Sequence, residues 1–317
     1  MAASAIKLDT FRHEALLYSG LDDFVDRTVP FLRDGVAAEE PILVVVSSAK
    51  IRALRAALGP AESMVQFADM AEVGANPARI IPAWRRFVDA NPGAQRLRGI
   101  GEPIYPERSP SELVECVRHE ALLNVAFDGT PAWWLLCPCD TSALPPAVIE
   151  EAQRTHPYIE QENAHTDSRL YAGLAAAAAP FRAPLPEPRG VLASLAFDEA
   201  HLAAVRSAVS RHAARAGFTS EPISDLLQAV NEVATNSVRH GGGSGHLRIW
   251  LDGEVLICEI RDGGQLTDPL ADRRPPQRDA PVGRGLWMAN QLCDLVQVRA
   301  FENGTTIRLH MHRVRNR

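Results

Sequence analysis

The chain has 317 residues, 46% hydrophobic and 23% charged, with 33 Lys and Arg against 39 Asp and Glu, a net charge of −6. That balance excludes a disordered, collagen-like or coiled-coil chain and predicts about two soluble domains, each large enough to bury a core. Acidity argues against direct nucleic-acid binding, which runs on Lys and Arg neutralising phosphates. Lys7 and Lys50 are the only lysines, and neither sits in a Gly-Lys-Ser/Thr loop, which excludes a P-loop site.

The first 18 residues show no basic stretch leading into a long apolar run, so no signal peptide is expected. No apolar stretch approaches the roughly 20 residues of a membrane span, and the expected place is the cytoplasm, with no membrane contact. The five cysteines are odd in number. Cys137 and Cys139 form Cys-Pro-Cys with no second Cys/His pair at zinc-like spacing, and read as buried or incidental thiols in a reducing compartment.

In chain order, helical patterning covers 21–34, and the run PILVVVS at 41–47 is a strand buried on both faces. A helix at 49–58 ends at Gly59-Pro60. Further helices are expected at 77–90, 111–128 and 145–154, with strands at 97–100 and 132–136. Alternating strands and helices imply an α/β domain with a mainly parallel sheet. Then comes AAAAAPFRAPLPEP, with four prolines between 180 and 188, read as a semi-rigid linker. The division is therefore 1–173, a linker at 174–190, and 191–317. The acidic excess belongs to the first part, because 190–317 carries 15 basic and 14 acidic residues. The second part opens with helices at 199–216 and 221–240. Strands follow at 246–251 and 254–261 around Asp252-Gly253, then a polar loop, a short helix at 286–293, and strands at 295–301 and 305–311. This is α+β, a helix layer on a mostly antiparallel sheet.

Glu232, Asn236 and His240 fall at i, i+4 and i+8 on one helix face, apart from the apolar stripe Leu226, Val230 and Val233. An amide oxygen there can complete a Mg²⁺ octahedron beside phosphates, and a carboxylate can take a proton from an attacking hydroxyl. A solvated polar face ended by a glycine is the plainer reading of this helix alone. Asp262-Gly-Gly264 ends a strand with an acceptor for an exocyclic amine and a glycine that lets backbone approach a flat base. Gly283-Arg284-Gly285 precedes a helix start, where free N–H groups meet phosphate. It is the order and separation of the three elements together that point to a nucleotide site.

These residues resemble the Bergerat-fold ATPase superfamily, and within it the anti-sigma-factor serine/threonine kinases. NEVATNSVRHG at 231–241 is similar to the family's N box, DGG at 262–264 to its first glycine box, GRGLWM at 283–288 to its second, and GTT at 304–306 to its closing strand. The resemblance implies a two-layer sandwich binding ATP and Mg²⁺. Asn236 would be the metal ligand, Asp262 would read the adenine amine, and Gly264, Gly283, Arg284, Gly285, Leu286 and Thr306 would line the nucleotide. Glu232 would be the catalytic base. Implied partners are a sigma factor and a STAS-type antagonist phosphorylated on Ser or Thr, in transcription regulation under stress, with a homodimer left open. A non-catalytic partner-switching module is the alternative. A sensor histidine kinase is a further one, weakened because His201 and His212 lack the neighbouring acidic residue and downstream proline of a phosphoacceptor.

In the first half, HEALLY at 13–18, GEP at 101–103, EALLN at 120–124, LCPCD at 136–140 and THP at 155–157 resemble the MEDS sensory domain. The resemblance implies a RecA-like three-layer α/β fold. Cys139 departs from it, standing where relatives carry an aromatic residue. His13, Glu102, Glu120 and His156 form a candidate sensory pocket, or are structural. No cofactor follows from them.

Overall fold

The computed structural model describes residues 10–128, 132–162, 164–276 and 284–314. It resolves into two compact units, Met1–Gly74 with Ala83–Ala177, and Ala75–Pro82 with Ala178–Arg317.

The first unit is built on β1 (Arg12–Tyr18), β2 (Ile42–Val46), β3 (Val65–Asp69), β4 (Leu97–Gly101), β5 (Trp133–Asp140), β6 (Tyr158–Gln161) and β7 (Ala164–Asp167). Strand order is β3-β2-β4-β5-β1-β6-β7, parallel throughout except the β6–β7 hairpin. The helices are α1 (Gly20–Ala37), α2 (Ser48–Leu58), α3 (Met70–Val73), α4 (Ile80–Asp89), α5 (Pro110–Ala126) and α6 (Pro146–Thr155). Strand alternation splits the core. Leu16 and Tyr18 of β1 pack with Phe24, Leu32 and Leu54 of α1 and α2, whereas Leu17 packs with Cys116 and Ala152 of α5 and α6. Both faces of the sheet are therefore covered.

The strands β1, β3, β6 and β7 carry no continuous apolar run, and the sequence reading assigned none of them. In β1, His13 and Glu14 interrupt the pattern yet are buried. Glu14 is tolerated because Arg12, Trp134 Nε1 and His165 all hydrogen-bond its carboxylate, at 2.8–2.9 Å. Strand β5 runs four residues past the expected end, through Pro138, which lies opposite Leu16. The expected helix at 77–90 starts as a 3-10 turn, Pro77–Arg79.

Helix α7 (Leu174–Arg182) corrects the reading of 174–190 as linker throughout: it passes through Pro180. Five alanines favour the helix, and the donor lost at Pro180 falls in its last turn. Beyond it the segment is irregular but pinned. Glu187 accepts from Arg248 at 2.7 Å and Arg261 at 2.9 Å, and Arg308 donates to the Pro186 carbonyl.

The second unit has β8 (Ala193–Asp198), α8 (Leu202–Arg215), α9 (Ser220–His240), β9 (Ser244–Asp252), β10 (Val255–Asp262), α10 (Arg284–Leu292), β11 (Leu295–Phe301) and β12 (Gly304–His312). The sheet order is β11-β12-β10-β9-β8, antiparallel at every pairing. Leu226, Val230 and Val233 of α9 are fully buried against Leu256, Cys258 and Ile260 of β10, as the apolar stripe predicted. On the other face of β10, Glu259 is fully buried and accepts from Arg248, Arg261 and Arg308 at 2.6–2.7 Å. No described helix is long and apolar enough to cross a membrane.

Candidate functional site

In the second unit the polar face of α9 looks onto a cavity of about 360 Å³. Its walls include Val233, Leu266, Ala271, Leu286 and Ile307, and its polar side chains are Asn236, His240, Asp262, Gln265 and Thr305. Asp262 is held in place from two sides. Ser237 Oγ donates to Oδ2 at 2.6 Å, and the Gly264 amide donates to Oδ1 at 2.8 Å. Thr305 Oγ donates to the Gly264 carbonyl at 2.7 Å, tying β12 to the glycine turn. Gly241 packs on the same carboxylate: a Cβ there would lie 2.6 Å from Asp262 Cγ.

The start of α10 meets α9 at Gly285. A Cβ added to Gly285 would run into the Asn236 amide nitrogen and come within 3.5 Å of Glu232 Cβ, so only glycine lets these helices approach here. Asn236, Asp262, Gly264 and Leu286 thus come together at one cavity. Glu232 lies one turn N-terminal of Asn236, outside the cavity lining. Arg284 opens α10 and is exposed. Gly283 lies outside the described residues.

In the first unit, three of the four sensory-pocket candidates converge. His13 Nε2 and His156 Nε2 lie 3.0 Å and 3.2 Å from Glu120 Oε2. Cys137 Sγ joins them, 3.3 Å from His13 Nε2. All four residues are buried. Burial, then the neighbouring His156, lowers the His13 pKa to about 4, so this imidazole is neutral at ordinary pH. Glu102 belongs elsewhere. It accepts from Tyr18 and from Lys50 Nζ, each at 2.6 Å. Alternation puts Tyr18 on the face of β1 opposite His13. Burial raises the Glu102 pKa, opposed by the Lys50 charge.

Two family models match this chain. The MEthanogen/methylotroph, DcmR Sensory domain (MEDS) covers residues 12–157, and the histidine kinase-like ATPase domain covers 195–311. Residues 12–157 are thus similar to the MEDS domain and residues 195–311 to the histidine kinase-like ATPase domain, and the two regions are called by those names below. The serine-protein kinase RsbW of Halalkalibacterium halodurans is 33% identical over 107 residues, 30% of this chain and 66% of that protein. The chain therefore spans slightly under two thirds of that relative. The structure of the RsbU and RsbW domains of Rv1364c from Mycobacterium tuberculosis covers 40% of this chain and 33% of its own, at 22% identity and a TM-score of 0.30.

The ATPase-domain reading needs one change. Thr306, expected against the nucleotide, is not in the cavity wall, and its neighbour Thr305 is. Thr306 pairs with Arg261 and Arg299 in the sheet, and side chains of adjacent strand residues leave on opposite faces. Ser237 also escaped the sequence reading, although it adjoins Asn236; only the approach of β10 to α9 gives it Asp262 as a partner. In the MEDS domain, Cys137 was set aside together with Cys139. The signal that separates them is the parallel register of β5 on β1, which sequence spacing does not contain.

Proposed function

We propose that the ATPase domain binds Mg-ATP in the cavity of α9, β10, α10 and β12, as a Bergerat-type two-layer sandwich. In this reading it transfers the γ-phosphoryl group to a serine or threonine of a STAS-type anti-sigma-factor antagonist, and holds a sigma factor when the antagonist is phosphorylated. The MEDS domain, read as a RecA-like layer without the phosphate-binding lysine, would set this activity in response to a cytoplasmic signal.

The carrying observation is the doubly hydrogen-bonded Asp262 at a cavity that also has apolar walls in Val233, Leu266, Leu286 and Ile307. An acceptor fixed by Ser237 and the Gly264 amide, with apolar side chains beside it, suits the amine edge and ring of adenine. The donor chemistry also fits the metal. Asn236 offers a neutral oxygen of the hard type Mg²⁺ takes, beside the start of α10, whose N-terminal amides favour phosphate. Bound Mg²⁺ would neutralise phosphate charge. Asn236 would hold and orient it, while the apolar wall of Val233, Leu286 and Ile307 keeps water from the base. Glu232, one turn before Asn236 and outside the lining, would be the carboxylate that takes the proton of an incoming hydroxyl. That same position at the edge also suits a domain that meets its partner without phosphorylating it.

Phosphate transfer from γ-labelled ATP to a STAS-type protein, comparing wild type with Glu232→Ala, tests the kinase reading. Transfer is expected in the wild type and should fall at least about 100-fold in the variant, the lower end of what a general base contributes. Equal transfer in both, or none in either, removes the kinase step. Retained ATP binding with no transfer leaves partner switching.

A further inference from the structure

We infer that the MEDS domain holds a zinc ion, ligated by His13 Nε2, Glu120 Oε2, Cys137 Sγ and His156 Nε2. This is independent of the ATP reading, because all four residues lie in the first unit. Among the described residues these four form a His/Cys/carboxylate set whose ligand atoms all lie within 4.8 Å of one another.

The hydrogen bonds around the cluster decide which atoms face its centre. His156 Nδ1 donates to the Ala152 carbonyl at 2.7 Å, so in the neutral ring Nε2 carries the lone pair. Asn124 Nδ2 donates to the Thr155 carbonyl at 2.8 Å, so Asn124 presents Oδ1 to His13, and His13 Nδ1 donates to it at 3.1 Å. His13 Nε2 is therefore a lone pair as well. An oxygen acceptor on Nδ1 that fixes the tautomer and aims Nε2 inward is the outer shell of a histidine metal ligand. The consequence is otherwise unfavourable. Two imidazole nitrogens converge on one carboxylate oxygen, at 3.0 and 3.2 Å, and all three residues are buried. Repulsion between such acceptors is what a cation at the centre removes.

Spacing and charge agree. Bonds of about 2.0–2.1 Å to N and O and 2.3 Å to S in a tetrahedron put N and O ligands about 3.3 Å apart, and N and S about 3.5 Å. The separations here are 3.0, 3.2 and 3.3 Å. One carboxylate, one thiolate and two neutral imidazoles around a dication give a site of zero net charge, the form a fully buried site favours. Zn²⁺ takes nitrogen, sulfur and oxygen together in this geometry, whereas Mg²⁺ and Ca²⁺ want oxygen alone. On binding, Cys137 releases its thiol proton to solvent and the thiolate sulfur forms the bond to zinc. With every ligand buried, no open position remains for substrate, so the ion joins β1, α5, β5 and the end of α6 rather than acting as a catalyst.

Metal analysis of the full-length protein is expected to find one zinc per chain. Zinc-edge X-ray absorption should show one sulfur at about 2.3 Å with nitrogen and oxygen neighbours at about 2.0–2.1 Å. Protein stripped by chelator and loaded with Co²⁺ should show visible bands of tetrahedral cobalt and a near-ultraviolet thiolate-to-cobalt band. Cys137→Ser should lose the thiolate band, His156→Gln should lose at least about 10-fold in cobalt affinity, and Cys139→Ser should keep both. The inference is overturned if folded wild-type protein, offered Zn²⁺ or Co²⁺ after stripping, retains neither. It is equally overturned if bound zinc shows no sulfur neighbour, or if Cys139→Ser rather than Cys137→Ser removes the thiolate band. The wild-type measurements stand by themselves if a ligand variant fails to fold.

Discussion

The two polar centres of this molecule are built in opposite ways. The ATPase-domain cavity takes its groups from short contiguous motifs, since Asn236 and Ser237 are neighbours and Asp262 and Gly264 share one turn. It is open to a ligand, and glycine makes the close approaches. The MEDS-domain cluster takes one residue from each of four separate elements, and all four are sealed from solvent. A site that meets a ligand through backbone and glycine leaves its mark in consecutive residues. A centre sealed inside a sheet and two helices leaves a weaker one: His13, Glu120 and His156 stand in separate short motifs, and the place of Cys137 among them follows only from the strand register.

That contrast makes different perturbations fail in different ways. The largest expected effect is on stability in the MEDS domain. Lys50→Met strands the buried Glu102 carboxylate without its cation and should cost about 3–5 kcal/mol in chemical denaturation, with Glu102→Gln in the same chain restoring part of it. A variant as stable as wild type would mean that the pair is not held as described.

In the ATPase domain the largest effect should instead be on binding. Gly285→Ala pushes a methyl group into the Asn236 amide, which can swing aside without unfolding the helix. Calorimetry should show ATP affinity lowered about 100-fold, ~2.7 kcal/mol, with the melting temperature little changed. Unchanged affinity would place the nucleotide away from Asn236.

A smaller effect concerns pH. His310, buried beside Gln297, has its pKa lowered by burial, then by the Arg308 charge, to about 3 from 6.5. Between those values the unfolded chain binds a proton that the folded one refuses. Stability should therefore fall as pH drops from 6.5 toward 3, by up to about 1.4 kcal/mol per pH unit from this group. His310→Gln should flatten that slope, and denaturation midpoints across the range measure it.

The smallest effect is at the linker. Glu187 shares Arg248 and Arg261 with Glu259, but its side chain is 68% exposed and that of Glu259 is fully buried. Glu187→Ala should therefore cost under about 1 kcal/mol. A larger loss would show that the segment after α7 is a structural part of the ATPase domain.

Sequence by itself offered a division into two parts, the parallel-then-antiparallel change of sheet, and the nucleotide-type motifs of the second half. These are local properties: hydrophobic period, glycine and proline placement, and a carboxylate one helical turn from an amide. Tertiary structure alone decided the rest. It made β1 a central strand despite His13 and Glu14, because partners from β5 and β7 satisfy the carboxylate. It chose Thr305 over Thr306 through the parity of one antiparallel register. It also parted Glu102 from His13, Glu120 and His156, and put Cys137 in its place. Which face of a buried strand a side chain leaves from, and what another element brings to meet it, depends on pairings 100 residues and more apart. No local pattern carries that information.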